Sequence, residues 1–328
     1  MLDERKAAIL RAVVEGYIET AQPVGSGHIA RHGDIPVSPA TVRNDMAQLE
    51  REGYLDHPHT SAGRIPTAKG YRFFVDQLEP GNLGPSQRHQ VRAFFNQAHG
   101  ELERMLTDTS RLLTDLTDYA AVVVAPQGDA ATVRSVQVVS LAPGTALAVA
   151  VLSNGSVEKH TIEVPEGLSE DAIAAGGTTL AQSLMGTTLV DAPEPEAGTD
   201  PVVAAALTSF RAPGDRPAAE VYVGGTARMA GSFEAVETVR EVLAILEQQL
   251  VVVTLLRGVL DRGLDVAIGA ETGVEPLADC SLVVAPYRVD GEDAGSIAVL
   301  GPTRMNYARA LAAVAVVSQR LGDRLSEG

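Results

Sequence analysis

Few side chains in this chain can do chemistry, and their spacing narrows the choice further. His28 and His32 stand four residues apart, a spacing at which two imidazoles on one helical face can chelate a metal, and His57 and His59 form a second pair. Neither pair has a neighbouring cysteine or the glutamate of an HExxH helix, so solvated or phosphate-facing histidines are the better reading and no metal is expected. The single cysteine, Cys280, sits between Asp279 and the apolar start Ser281-Leu282-Val283-Val284 of a strand, where a small buried hydrophobe is the ordinary role. The stretch GPTRMNYARA leads into a helix whose N-terminus could hold an anion, but it lacks the GxxxxGK[ST] and GxGxxG patterns and reads as a structural turn. No nucleophile or acid/base constellation assembles. Neither an enzyme nor a cofactor is expected.

What survives is hydrogen bonding to base edges. In VSPATVRNDMAQLEREG, Ser38 at the N-cap and Pro39 at the first helical position are a strong start signal. Val42, Met46 and Leu49 stack on one face, and Gly53 ends the helix. The 100° step per residue then points Ala40, Arg43, Asn44, Ala47 and Arg51 outward, with Thr41 and Gln48 flanking them. Arg43 and Asn44 are of the types that pair bidentately with guanine and adenine, and small residues at 40 and 47 would let the helix sit deep in a groove. For this helix taken alone, an ordinary solvated face is an equally good account.

The flanking elements favour the first account. Residues 3–20 form a helix on the stripe Ile9, Leu10, Val13, Val14, Tyr17 and Ile18, broken by Pro23 and Gly25. Ser26 can cap a second helix running to about His32, closed by Gly33. Three helices with a short connector before the third are the layout of a helix-turn-helix. After Gly53 come a short strand at 54–56 and a return strand within 68–75, which carries Tyr71, Phe73 and Phe74. Between them Ser61-Ala62-Gly63-Arg64 forms the tip of a hairpin, a "wing" stiffened by Pro58 and Pro66. His59, Thr60, Ser61, Arg64, Lys69 and Arg72, with Ser26, are the expected phosphate and wing contacts, and Ser38, Ala40, Thr41, Arg43, Asn44 and Gln48 the expected groove contacts.

Charge first argues against such a partner, since the chain carries a net −16. Its distribution weakens the objection. Residues 1–78 hold 9 Lys and Arg against 10 Asp and Glu, a net −1, while the rest hold 17 against 32, a net −15. One cysteine excludes an internal disulfide, no secretory signal opens the chain, and the uncharged run 135–157 carries Pro-Gly and Asn-Gly turns that fit buried strands better than a bilayer helix. The chain reads as cytoplasmic, without a membrane partner. A linker at 80–85 precedes one long amphipathic helix over 86–118 and strands at 121–125, 133–141, 145–152 and 156–163. Helices near 168–185, 200–211 and 233–258 follow, then strands at 264–269, 281–286 and 295–300 and a closing helix over 307–321. Strands, a helical block and strands again suggest an α+β domain interrupted by an insertion.

YIETAQPVGS, VSPATVRNDMAQLEREGYL and PHTSAGRIPTAKGYR resemble the heat-inducible transcription repressor family HrcA, and so do VAIGAETG, DCSLVVAPY and GSIAVLGPTRMNYARAL further on. The similarity runs from about residue 5 to 320 with a weakly matching middle. It implies a multidomain α+β protein: a winged helix-turn-helix DNA-binding domain at 1–79, a GAF-like domain at 86–165 and 259–328, and an inserted dimerisation domain at 166–258. It further implies a homodimer that represses chaperone operons at an inverted-repeat operator on double-stranded DNA, assisted by the GroE chaperonin. Where the family pattern favours a basic residue near the start of the second helix, this chain has Gly27-His28. The alternative is a ligand-sensing regulator whose GAF-like body binds a small molecule and shifts DNA affinity.

Overall fold

A computed structural model describes residues 2–32, 37–58, 63–78, 81–97, 102–126, 131–153, 157–189, 191–211, 220–231, 233, 236–263 and 265–327, a mixed α+β chain. The first module opens with α1 (Glu4–Thr20), capped by the Asp3 carboxylate, which accepts from the Lys6 N–H. Its Ile9, Leu10, Val13 and Val14 are wholly buried. In α2 (Ser26–His32), Ser26 is the first helical residue rather than the cap, and the Gly25 carbonyl accepts from the His28 and Ile29 amides. Then α3 (Pro39–Arg51) starts as the Ser-Pro pair requires: Ser38 Oγ accepts from the Thr41 N–H at 3.2 Å. Val42, Met46 and Leu49 face the core.

Strands β1 (Leu55–Asp56) and β2 (Ile65–Pro66) pair antiparallel, with Leu55 opposite Pro66 and Asp56 opposite Ile65. Val24 adds a bridge to Arg64 on the far side. The return strand expected over 68–75 is instead α4 (Ala68–Val75). Thr67 caps it, accepting from the Gly70 N–H, and the buried Tyr71, Phe74 and Val75 repeat at helical rather than alternating spacing. Within the expected helix 86–118 the described residues form α5 (Pro85–Gln97) and α6 (Leu102–Thr117), and residues 98–101 lie outside the described ones.

The chain next forms β3 (Ala120–Val124), then a separate three-stranded antiparallel sheet from β4 (Val133–Ala142), β5 (Thr145–Leu152) and β6 (Val157–Glu163) in that order. The helices α7 (Glu170–Leu184) and α8 (Pro201–Arg211) cover one face of it. The strand β7 (Val221–Gly224) and helices α9 (Thr226–Ala230), α10 (Val236–Leu246) and α11 (Gln249–Asp261) follow. Last come β8 (Val266–Ile268), β9 (Cys280–Val289), β10 (Glu292–Pro302) and α12 (Tyr307–Ser326). A five-stranded antiparallel sheet runs β7-β3-β10-β9-β8.

Alternation sorts that sheet's side chains into two cores. Ala121, Val123, Val283, Ile297 and Val299 face α6 and α12. Ala120, Val122, Leu282, Val284 and Ala298 face α10 and α11. The first of these cores is continuous with that of the N-terminal module, through Tyr71, Phe74, Val266 and Tyr307.

The expected partition at residue 165 does not follow this packing. It would cut between β6 and α7, which share one core with β4, β5 and α8, and it would assign α10 and α11 to the insertion although they pack on the five-stranded sheet. Small residues make the first association tight: a Cβ on Gly177 would lie 3.2 Å from the Val138 nitrogen, and one on Gly176 would lie 2.8 Å from Val202 Cβ. The chain leaves the five-stranded sheet after β3 and rejoins it at β7, a four-residue strand that sequence reading passed over. The uncharged run 135–157 falls mainly in β4 and β5. Among the described residues no single helix is long and apolar enough to cross a membrane.

Candidate nucleic-acid interface

The outer face of α3 carries Ala40, Arg43, Asn44 and Arg51, all exposed, with Thr41, Ala47 and Gln48 half-buried at its margins. Ser38 and Thr41 join hydroxyls at 3.0 Å around the helix start, so both are oriented by the cap. Gln48 Nε2 donates to Glu52 Oε1 at 3.0 Å, tying its amide to the helix end. The opposite face holds a residue whose role the sequence did not reveal. Asp45 is 6% exposed among Val42, Met46 and Leu49. Its carboxylate accepts from Arg5 Nε at 2.8 Å and Nη2 at 3.3 Å, a two-pronged contact from α1. Because that fork is directional, it fixes the rotation of α3 about its own axis in a way an apolar stripe does not. The hydrogen bond to Asp45 raises the Arg5 guanidinium above its ordinary value. The legible signal was an aspartate at an apolar-face position.

The expected wing residues divide into three groups. His59, Thr60 and Ser61 lie outside the described residues. Arg64 and Lys69 are described, and both serve the base of the hairpin. Arg64 exchanges two backbone hydrogen bonds with Val24, each 2.9 Å, and its side chain, 18% exposed, pairs with Glu50 of α3 at 2.8 Å. Lys69 Nζ donates to the Glu52 carbonyl at 2.8 Å and lies 4.2 Å above the Tyr54 ring, a cation at the C-terminus of α3 where the helix dipole favours it. The single Thr67 hydroxyl proton is shared between the Gly53 carbonyl at 2.7 Å and the Tyr54 carbonyl at 3.1 Å. These contacts bolt the hairpin and α4 to the end of α3.

Arg72 corrects the expectation made for it. It points into the body: Nε donates to Glu271 Oε1 at 3.0 Å, Nη2 binds Glu271 Oε2, and Nη2 also donates to the Val266 carbonyl at 2.7 Å. Its guanidinium is spent on protein and is raised above its ordinary value, first by the Glu271 hydrogen bond. Ser26 is half-buried at the start of α2. His28 is exposed on the same helix, and among the described residues no group of three His, Cys, Asp or Glu could hold a metal.

The resulting site is a capped helix presenting Arg43, Asn44 and small residues, with a braced hairpin at its end and an α+β body behind it. Comparison of the sequence with known proteins places this chain among the transcription regulators. A family model described as the HrcA protein C-terminal domain matches residues 103–311. The chain is 36% identical over 343 residues to the heat-inducible transcription repressor HrcA of Moorella thermoacetica, covering 99% of this chain and 98% of that one. It is 39% identical over 351 residues to the repressor of the same name from Cutibacterium acnes, covering 100% of both. A crystal structure of a hypothetical protein shares the fold, with a TM-score of 0.62 at 22% identity over 99% of this chain and 98% of that one. This chain belongs to the HrcA family of heat-inducible transcription repressors.

Proposed function

We propose that this protein represses heat-shock chaperone operons in the cytoplasm by binding an inverted-repeat operator as a homodimer, with the GroE chaperonin assisting its active state. In this reading α1 to β2 form a winged helix-turn-helix, and the five-stranded sheet with its helices forms a GAF-like domain. The unit of β4 to β6 with α7 and α8 forms the inserted dimerisation domain. The observation that carries the DNA contact is the outer face of α3. Its exposed Arg43 and Asn44 are the side-chain types that read guanine and adenine in the major groove, and the exposed Ala40 leaves room for close approach. Ser38 and Thr41 stand at the helix start, where a phosphate would meet oriented hydroxyls and the positive end of the helix dipole. By sequence His59, Thr60 and Ser61 belong to the wing, with Ser61 at its tip, for the backbone beside the groove.

The two-fold reading is supported by the uncovered face of the three-stranded sheet. Val139 (50% exposed), Leu141 (57%) and Val157 (45%) lie on it, beside the half-buried Leu147, Val149 and Val151. Leu147, Val149 and Val151 form an apolar stripe along β5 that pairs with Val139 on β4 and Val157 on β6, with Gln137 and Lys159 opposite Val149. A second copy applying the same patch would bury it isologously, and the symmetry of the pair would be mirrored in the operator. The test is a binding titration of the full-length protein on the inverted repeat and on a scrambled duplex, with and without chaperonin. Selective binding strengthened by chaperonin is expected. Equal affinity for both duplexes would reject operator recognition.

A further inference from the structure

The N-terminal module and the body meet along α4, and their contact has a directional centre. Tyr71, Phe74 and Val75 pack in one core with Val266, Ile268 and Tyr307, and the Tyr71 and Tyr307 rings stand 5.9 Å apart. Apolar packing of this kind is non-directional and leaves the angle between the two bodies loosely specified. Arg72 supplies the missing direction. Its Nε and Nη2 grip both oxygens of Glu271, Nη2 also reaches the Val266 carbonyl, and Nη1 donates to Asp76 at 3.3 Å.

Both ends of this grip are preset. On the body side, Glu271 Oε2 accepts from the Ile268 N–H at 2.9 Å, and Arg262 Nη2 donates to the Glu271 carbonyl at 2.7 Å. The turn that presents Glu271 needs Gly269, whose φ is +56° and whose added Cβ would lie 2.8 Å from the Ala278 carbonyl oxygen. That is the physical content of the VAIGAETG stretch. On the module side, α4 is pressed against the end of α3: a Cβ on Gly70 would lie 2.3 Å from the Tyr54 carbonyl oxygen, and Lys69 holds the Glu52 carbonyl. An angle set at Arg72 is therefore passed rigidly to α3.

We infer that Arg72 and Glu271 are positioning residues for DNA recognition, a clamp that sets the angle of α3 against the body and so the half-site spacing a dimer accepts. The inference rests on the operator reading above. Each base pair inserted between half-sites turns one of them by about 35° and moves it by about 3.4 Å, which a rigidly held pair of helices cannot follow. A half-site displaced in this way loses at least what one mismatched base pair costs, on the order of tenfold in affinity. A loosened clamp would let the helices follow.

The experiment uses full-length protein and an inverted-repeat duplex recovered by selection from a random-sequence pool with the wild type. Spacers are then lengthened by one and two base pairs. The wild type is expected to lose on the order of tenfold for each altered spacer. Arg72→Ala and Glu271→Gln are expected to bind all spacers nearly alike, with unchanged affinity for a single half-site. The exchanged pair R72E with E271R should recover part of the discrimination. Melting and sedimentation establish that each variant is folded and dimeric. If Arg72→Ala fails to fold, Arg72→Lys keeps the charge without the fork and should still lose part of the discrimination. Full wild-type spacing preference in folded, dimeric variants overturns the clamp alone. A wild type that recovers no inverted repeat overturns the operator reading and the clamp with it.

Discussion

Gly63 stands at the root of the hairpin, and its replacement by alanine tests how that hairpin is held. A Cβ there would lie 2.3 Å from both the carbonyl carbon and the oxygen of Val24 and 2.8 Å from the Gly25 nitrogen. All three are backbone atoms that no rotamer change can move. The approach is enforced by the next residue, whose N–H and carbonyl exchange hydrogen bonds of 2.9 Å with Val24. Alanine must therefore part the two segments and break both bonds. At a net value of about 1 kcal/mol each, that is roughly 2 kcal/mol. The stiffer unfolded chain returns about 0.4–1 kcal/mol, leaving a net loss of about 1–1.5 kcal/mol. Hydrogen exchange at the Val24 and Arg64 amides should quicken by roughly tenfold, at 1.4 kcal/mol per decade. Operator affinity should fall with it, because the Arg64–Glu50 pair is lost from the end of α3. Gly27 in α2 is the control: nothing lies within 4 Å of its added Cβ, and alanine there should be neutral or stabilising by up to about 1 kcal/mol. Wild-type exchange in Gly63→Ala, or equal effects at both glycines, would refute the reasoning.

Arg43→Ala should cost about 1–3 kcal/mol on the operator and much less on random DNA, and equal losses on both would demote Arg43 to a phosphate contact. Arg64→Ala should weaken binding without changing the salt dependence, since its guanidinium faces Glu50; a slope flatter by close to one counterion would return it to the phosphate backbone. Val139→Lys with Leu141→Lys should leave the circular dichroism unchanged and yield monomers in sedimentation at micromolar protein, while a persistent dimer would move the interface elsewhere. Cys280 is fully buried, and burial with help from Asp279 pushes its thiol up to about 12. It should resist maleimide at pH 8 until the protein unfolds, with roughly a thousandfold less thiolate than a free thiol; fast native labelling would contradict its placement. Burial alone would raise the Glu271 carboxyl, but Arg72, the Ile268 N–H and Arg262 together hold it below the ordinary glutamate value. Its contribution is therefore present above the unfolded value of about 4.3 and is lost as pH falls through the lower folded one. The spacing preference should be flat from pH 6 to 8, and a change within that range would remove Glu271 as its source.

The charge division fits this arrangement. Residues 1–78, which carry the proposed DNA contacts, are close to neutral, and the net −15 falls on residues 79–328. In the proposed reading, an acidic body disfavours encounters with the duplex other than through the near-neutral module.

The sequence by itself determined the local elements. The Ser38-Pro39 start and the Val42, Met46 and Leu49 stripe are written in neighbouring residues, since capping and periodicity act within a few positions, whereas the segment that Thr67 caps reads as a strand until α4 is seen packed against the body. The resemblance carried by its motifs led to the family. Tertiary structure alone decided what joins distant positions. Arg72 and Glu271 are 199 residues apart, and a basic residue beside a wing reads as a DNA contact until the body is seen to occupy it. Asp45 and Arg5, 40 residues apart, are joined only in the packed module. The shared core of β4 to β6 with α7 and α8, across the expected border at 165, was not legible because strand pattern names a buried face without naming the helices that bury it. Hydrophobic burial is non-directional, so sequence pattern reveals which face is covered, and only the packed chain reveals by what.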